Sequence, residues 1–132
     1  MSRREIREHL FRMLFQKDFH QVDELEQQIE LYFQMFDVIN EDDKEEILTK
    51  FYLLIDKIEE IDSIIENAAT GWKLSRLGKV DLNLLRIATY EIRYDEDIPT
   101  AVAINEAIEI GKVYGEDNTP GFINGVLAKI AK

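Results

Sequence analysis

Apolar residues return every three or four positions along most of this 132-residue chain, the spacing that gathers them on one face of a helix. In the first segment Ile6, Leu10, Met13 and Leu14 share a face, with Phe11 and Phe15 beside it. Arg3, Arg4, Arg7 and Arg12 project elsewhere, which predicts an amphipathic helix with a basic flank over residues 3–17. A second segment, Val22 to Asp37, repeats the spacing through Leu25, Ile29, Tyr32, Phe33 and Phe36. The third is the clearest. Ile47, Phe51, Leu54, Ile58, Ile61 and Ile65 step by three or four without interruption, and the acids of NEDDKEE sit where a helix N-terminus favours them.

The pattern breaks at ATGWKLSRLGKVD, where Gly71 and Gly78 read as helix stops around a short turn from Trp72 to Leu77. Asp81 is placed to cap the next helix, Leu82 to Arg93, which buries Leu85, Ala88 and Ile92. A polar connection ends at Pro99. Thr100 or Ala101 then opens a helix that runs to Tyr114, with Gly115 as its stop. In NTPGFINGVL, Thr119 reads as an N-cap and Pro120 as a first-turn residue whose missing N–H costs nothing there. Phe122, Ile123, Val126, Leu127 and Ile130 form the stripe of a last helix. Gly125 costs that helix about 1 kcal/mol relative to alanine, which predicts close approach of another helix, with Asn124 bonding across the contact. The loop YGEDN leads into a helix N-terminus able to hold a phosphate. No strand is predicted. The expected fold is an all-α, compact bundle of six or seven helices, one domain over residues 1–132.

Charge divides this uniform helical pattern. The net charge is −11, which opposes indiscriminate binding to nucleic acid. Yet residues 1–12 carry four arginines against two glutamates, and residues 71–94 carry five basic residues against two acids. The acids are concentrated in residues 13–70. Two basic islands in an acidic body can be solvated helix faces or a small anion-binding surface. With no cysteine, disulfides and thiolate metal sites are excluded. No apolar run is long enough to span a bilayer and no signal-peptide core follows the first residues, so a cytoplasmic, unexported protein is expected.

Catalytic arrangements are missing. His9 and His20, the only histidines, lack metal-ligand spacing and read as ordinary surface or boundary residues. Neither a glycine-rich phosphate loop nor a nucleophile elbow occurs. Glu106 and Glu109 are at helical spacing, a pattern that a solvated face explains as well as acid–base chemistry. Asn105 and Glu106 read as structural residues at a helix–helix contact.

Three blocks together resemble the NusB family of transcription antitermination factors: RREIREHLFRMLFQ (Arg3 to Gln16), LGKVDLNLLRIATYEI (Leu77 to Ile92) and VAINEAIEIGKVYGEDNTPGFINGVL (Val102 to Leu127). Residues 17–76 are generic. The resemblance implies a fold of two packed helical subdomains. It implies binding to single-stranded boxA RNA of ribosomal RNA leaders, together with the small-subunit ribosomal protein that acts as NusE. It also implies indirect association with other Nus factors and RNA polymerase, with no cofactor and no catalysis. Arg3, Arg4 and Arg7 match the basic opening of the family's RNA-binding surface. Tyr114, Asn118 and Thr119 lie in the matching loop, where Tyr114 is a candidate to stack on a base. Phe15, Val80 and Asp81 match regions that face the ribosomal-protein partner. Monomer and homodimer both stay open.

The chain departs from the family in having Asn118 where an acidic residue is common, and in ending at Lys132 without the longer basic tail of some members. Two other functions compete with the leading one. A NusB-like domain also begins some ribosomal-RNA methyltransferases, of which 132 residues are only a fragment. A pure interaction adaptor without RNA affinity also fits an acidic chain.

Overall fold

The computed structural model describes residues 1–18, 24–36 and 38–132. His20, Val22 and Asp37 lie outside the described residues. Seven α-helices and no strand are present among the described residues: α1 Arg3–Lys17, α2 Leu25–Met35, α3 Glu41–Asp56, α4 Ile58–Ala68, α5 Lys79–Tyr94, α6 Thr100–Tyr114 and α7 Thr119–Ile130. A 3-10 turn, Leu74–Arg76, lies between α4 and α5. The chain divides into two compact units, Met1–Leu53 and Leu54–Lys132.

In the first unit α1 packs on α2. Helix α1 begins where it does because Ser2 keeps extended backbone and its hydroxyl accepts the Glu5 N–H at 3.1 Å. The predicted stripe Ile6, Leu10, Met13 and Leu14 is buried. Asn40 does the same service for α3, its side-chain oxygen accepting the Asp43 N–H at 2.8 Å. Two polar residues of α1 depart from the sequence expectation. Arg7 is buried rather than solvated; its long aliphatic stem permits this. His9 is also buried, not a surface residue. Its Nδ1 lies 2.6 Å from the Tyr32 hydroxyl, and its ring meets Tyr32 and Phe36 edge-on.

The second unit is organised around α5, which packs against α4, α6 and α7. Every residue from Leu82 to Thr89 is buried. Polar side chains in this buried stretch need partners inside the protein; the Thr89 hydroxyl has none among the described residues, whereas Asn83 and Arg86 are bonded. Arg86 makes a two-pronged contact with Asp62 of α4, at 2.8 and 2.9 Å, and a third bond to Asn83 at 3.0 Å. Asn83 in turn donates to the Lys79 carbonyl at 3.0 Å. At the other end of α5, Arg93 donates to the Ile130 carbonyl at the C-terminus of α7, where a cation is favoured.

Further expectations are corrected here. The third apolar segment is two helices, since Lys57 leaves helical geometry (φ −104°, ψ 8°) between α3 and α4. The break consumes one residue and both pieces keep three-to-four spacing, so the pattern reads straight through it. Its flanks are used elsewhere: the Lys57 ammonium lies over the Tyr94 ring at 5.6 Å, and the Tyr94 hydroxyl donates to Glu60. Asn124 and Gly125 do not sit at a helix contact. Both are exposed, and a Cβ at Gly125 would meet nothing within 4 Å. Asn105 is likewise exposed, with Glu106 half-buried. Lastly, Ile92 is half-buried, while Leu85 and Ala88 are buried as predicted. Of the two glycines expected to stop helices, Gly71 turns the chain with φ 85°, a conformation glycine adopts without strain. Gly78 instead precedes α5 as its N-cap.

Burial holds the His9 pKa below its ordinary value, and the nearby Arg12 charge lowers it further against the weaker pull of Glu8 and Glu5. The unfolded chain therefore binds a proton more readily than the folded one, and stability is lost as pH falls from about 6.5. His9→Gln should flatten that decline below about pH 6.5. Urea midpoints measured across this range check it, and parallel profiles for the two proteins would refute the assignment.

Candidate functional site

Five of the nine sequence-predicted site residues converge on one cleft in the second unit. Its volume is about 360 Å³, and Val80, Asp81, Tyr114, Asn118 and Thr119 all line it. The walls come from three places: the 3-10 turn with the start of α5, the end of α6, and the loop into α7. Residues expected to face RNA and residues expected to face a protein partner therefore share one concavity. Sequence spacing alone keeps them 38 positions apart at Asp81 and Thr119.

Thr119 is the residue that joins these walls. It is 2% exposed. Its hydroxyl donates to Asp81 Oδ1 at 2.9 Å and accepts the Glu116 N–H at 3.0 Å. This corrects two capping assignments. Helix α7 has Asn118 as its N-cap, with no side-chain capping bond, because the Thr119 hydroxyl is committed to the α6–α7 loop and to α5. Helix α5 starts at Lys79 with Gly78 as N-cap. Asp81 therefore lies inside its first turn, where a carboxylate is favoured by the helix dipole. The loop backbone lies tightly on Thr119: a Cβ at Gly115 would fall 2.5 Å from Thr119 Oγ1 and 2.7 Å from its Cβ. Glycine is required at 115 by this close approach.

Sequence reasoning missed several residues that line the cleft, namely Trp72, Arg76, Lys79 and Phe122. Trp72 is half exposed, and its ring meets Phe122 edge-on with centroids 6.1 Å apart. Phe122 is half-buried, so it leaves the buried stripe formed by Ile123, Val126, Leu127 and Ile130. Arg76 and Lys79 are exposed at the rim. The basic island over 71–94 was the available signal, but a charge count cannot say which way the side chains face. Asp81 and Glu116 also line the cleft, so its charge is mixed. An exposed indole, two cations and a polar loop can receive a planar aromatic group with an attached anion.

The remaining predicted residues belong to the first unit. Arg3 and Arg4 are exposed near the start of α1. Arg3 makes an ion pair with Glu46 at 2.6 Å, a surface contact worth at most about 1 kcal/mol and easily exchanged for another anion. Arg7 is buried, and Phe15 is half-buried, with its ring centroid 6.1 Å from that of Phe11. Among the described residues no group of His, Asp or Glu is arranged to hold a metal ion, and no helix is long and apolar enough to cross a membrane.

Comparison with known proteins finds similarity across nearly the whole chain. The NusB family model matches residues 4–132. The transcription antitermination protein NusB of Lachnoclostridium phytofermentans is 54% identical over 130 residues, covering 98% of both chains. Among solved structures, T. maritima NusB superposes with a TM-score of 0.89 at 38% identity, over 99% of this chain and 91% of its own. A NusB crystallised with NusE and double-stranded RNA gives a TM-score of 0.82 at 27% identity, over 98% of this chain and 95% of its own. With the family model matched over residues 4–132 and a relative 54% identical over 98% of both chains, the chain belongs to the NusB family.

Proposed function

We propose that this chain is a non-catalytic transcription antitermination factor that binds boxA RNA of ribosomal RNA leaders together with the ribosomal protein acting as NusE. It acts as one RNA-binding domain over residues 1–132 in the cytoplasm, and it helps assemble an antitermination complex on RNA polymerase. The observation that carries the reading is the cleft of the second unit. It collects Tyr114, Asn118 and Thr119 with the partner-facing Val80 and Asp81, in a chain whose curated relatives are named as antitermination proteins. A relative crystallised with NusE and double-stranded RNA supports a NusE partner and contact with RNA.

RNA binding draws on two kinds of contact. In the first unit, Arg3 and Arg4 offer exposed guanidinium groups to phosphates, with Arg7 buried on the same helix. In the second, Tyr114 and Asn118 offer a ring and an amide to a base, while Thr119 holds their loop in place. Phe15 on its own unit, and Val80 with Asp81 on theirs, are the residues for the protein partner. The net charge of −11 suits a basic ribosomal protein and suppresses binding to unrelated RNA. Asn118 leaves the loop without the negative charge common at this position in the family, so a phosphate can approach it at lower cost.

The direct test is binding to labelled boxA RNA and to a scrambled control, with and without the ribosomal protein, at low and near-physiological salt. Sequence-selective binding is expected; its absence under every condition would leave the adaptor reading. Changing Arg3 and Arg4 together to Ala should reduce the salt slope by about 1.4 if each contacts one phosphate of a single strand, with helix content unchanged by circular dichroism. An unaltered slope would remove these arginines from the interface. Asn118→Asp should weaken boxA binding by about fivefold at low salt, the scale of one repulsive contact near 4 Å in water, and by less at higher salt. Equal affinity at low salt would mean no phosphate passes this loop.

A further inference from the structure

We propose that Thr119 is a positioning residue that couples the two halves of the cleft, so that partner engagement at Asp81 and RNA engagement at the α6–α7 loop reinforce each other. This rests on the functional reading above, in which Val80 and Asp81 face the protein and the loop faces RNA.

The argument begins with what Thr119 cannot do. At 2% exposure its hydroxyl is not offered to solvent, and both of its bonds are already made inside the protein. A direct contact to RNA is thereby closed to it. What it does instead is transmit. A hydroxyl has one proton to give, and here it goes to the Asp81 carboxylate. The oxygen is thus oriented with a lone pair toward the Glu116 N–H. Donors and acceptors in such a row polarise one another, so the Asp81 charge strengthens the bond that holds the loop. The methyl group locks the same geometry from another side. A Cβ at Gly111 would come within 3.1 Å of Thr119 Cγ2, and one at Gly115 would overlap the side chain outright. Thr119 is therefore wedged between the end of α6 and its own loop, with Asp81 as its only anchor in α5 among the bonds described.

Asp81 is only half-buried. It can receive a donor from a partner while Oδ1 keeps the Thr119 proton. A partner that fixes the Asp81 rotamer fixes the hydroxyl, and with it the Glu116 N–H and the loop carrying Asn118. RNA that selects the same loop arrangement favours the same Asp81 rotamer in return. Such coupling is reciprocal by necessity, and needs no movement of helices.

The test uses the full chain, a boxA RNA oligonucleotide and the ribosomal-protein partner, with Thr119→Val and Thr119→Ser. RNA affinity is measured with and without saturating partner. Amide hydrogen exchange at Glu116 is measured with and without partner alone. In the wild type the partner should tighten RNA binding by about fivefold or more, the ordinary range of coupling, and should slow exchange at Glu116. Thr119→Ser keeps the hydroxyl and should keep both effects. Thr119→Val keeps the volume and should lose both, with the same helix content by circular dichroism. A purely structural role would lower stability without touching the coupling. The proposal is overturned if Thr119→Val, still helical, retains wild-type coupling, or if the partner binds the wild type and leaves Glu116 exchange unchanged. Absence of selective RNA binding in the wild type would overturn the functional reading instead, and the exchange at Glu116 would then decide the strut by itself.

Discussion

The middle of helix α5 has almost no surface of its own. Eight consecutive residues, Leu82 to Thr89, are buried, and three neighbouring helices lie against it. An apolar sequence would fill that space without difficulty, but this one carries Asn83 and Arg86 into it. A guanidinium taken from water is costly unless every donor finds an acceptor in good geometry. Asp62 and Asn83 supply those acceptors, and they are correctly placed only when α4 and α5 hold one register. The buried arginine thus restricts which packings are tolerable. It also fixes the start of α5, because Asn83 reaches back to the Lys79 carbonyl. From that start project Val80 and Asp81, one wall of the cleft.

Most of this architecture was legible in the sequence, and for a plain reason. Helices that cover a core on one face must space their apolar residues by three and four; α1 and α6 keep their predicted limits, and α7 starts within a residue of its predicted opening. What was misread shares a common cause. Periodicity reports how a segment wraps, not whether it is continuous, so the one-residue break at Lys57 was invisible. Glycine within a helix suggests a neighbouring backbone, yet around Gly125 there is open space. Arg7 and His9 were assigned to solvent by residue type, whereas their fate was decided by what lies across from them.

The cleft was legible in part. Family resemblance named residues of both walls, and the loop before α7 was identified as leading into a helix N-terminus. The relation between the blocks was not available. Asp81 and Thr119 are both residue types that cap helices, and local reasoning assigned each to its own helix. Both side chains are spent on each other instead. A single sequence contains no signal that separates a local capping bond from a long-range one made by the same chemical groups. Trp72 and Arg76 were hidden for a similar reason, since a turn rich in polar residues looks the same whether it faces bulk water or a cavity.

The open face of α7 has its own consequence. Gly121 and Gly125 are two of only twelve residues in this helix, and a Cβ at either would meet nothing within 4 Å. Together they cost α7 about 2 kcal/mol of intrinsic helicity relative to alanine. Packing around the glycines returns none of it. Alone, such a segment would be mostly unfolded in water. Its order is borrowed from the platform it lies on, through Ile123, Val126, Leu127 and Ile130. The last helix therefore stays ordered only while docked on α4, α5 and α6. Undocking would carry Thr119 away from Asp81, so the lifetime of the cleft is set by how long α7 stays docked.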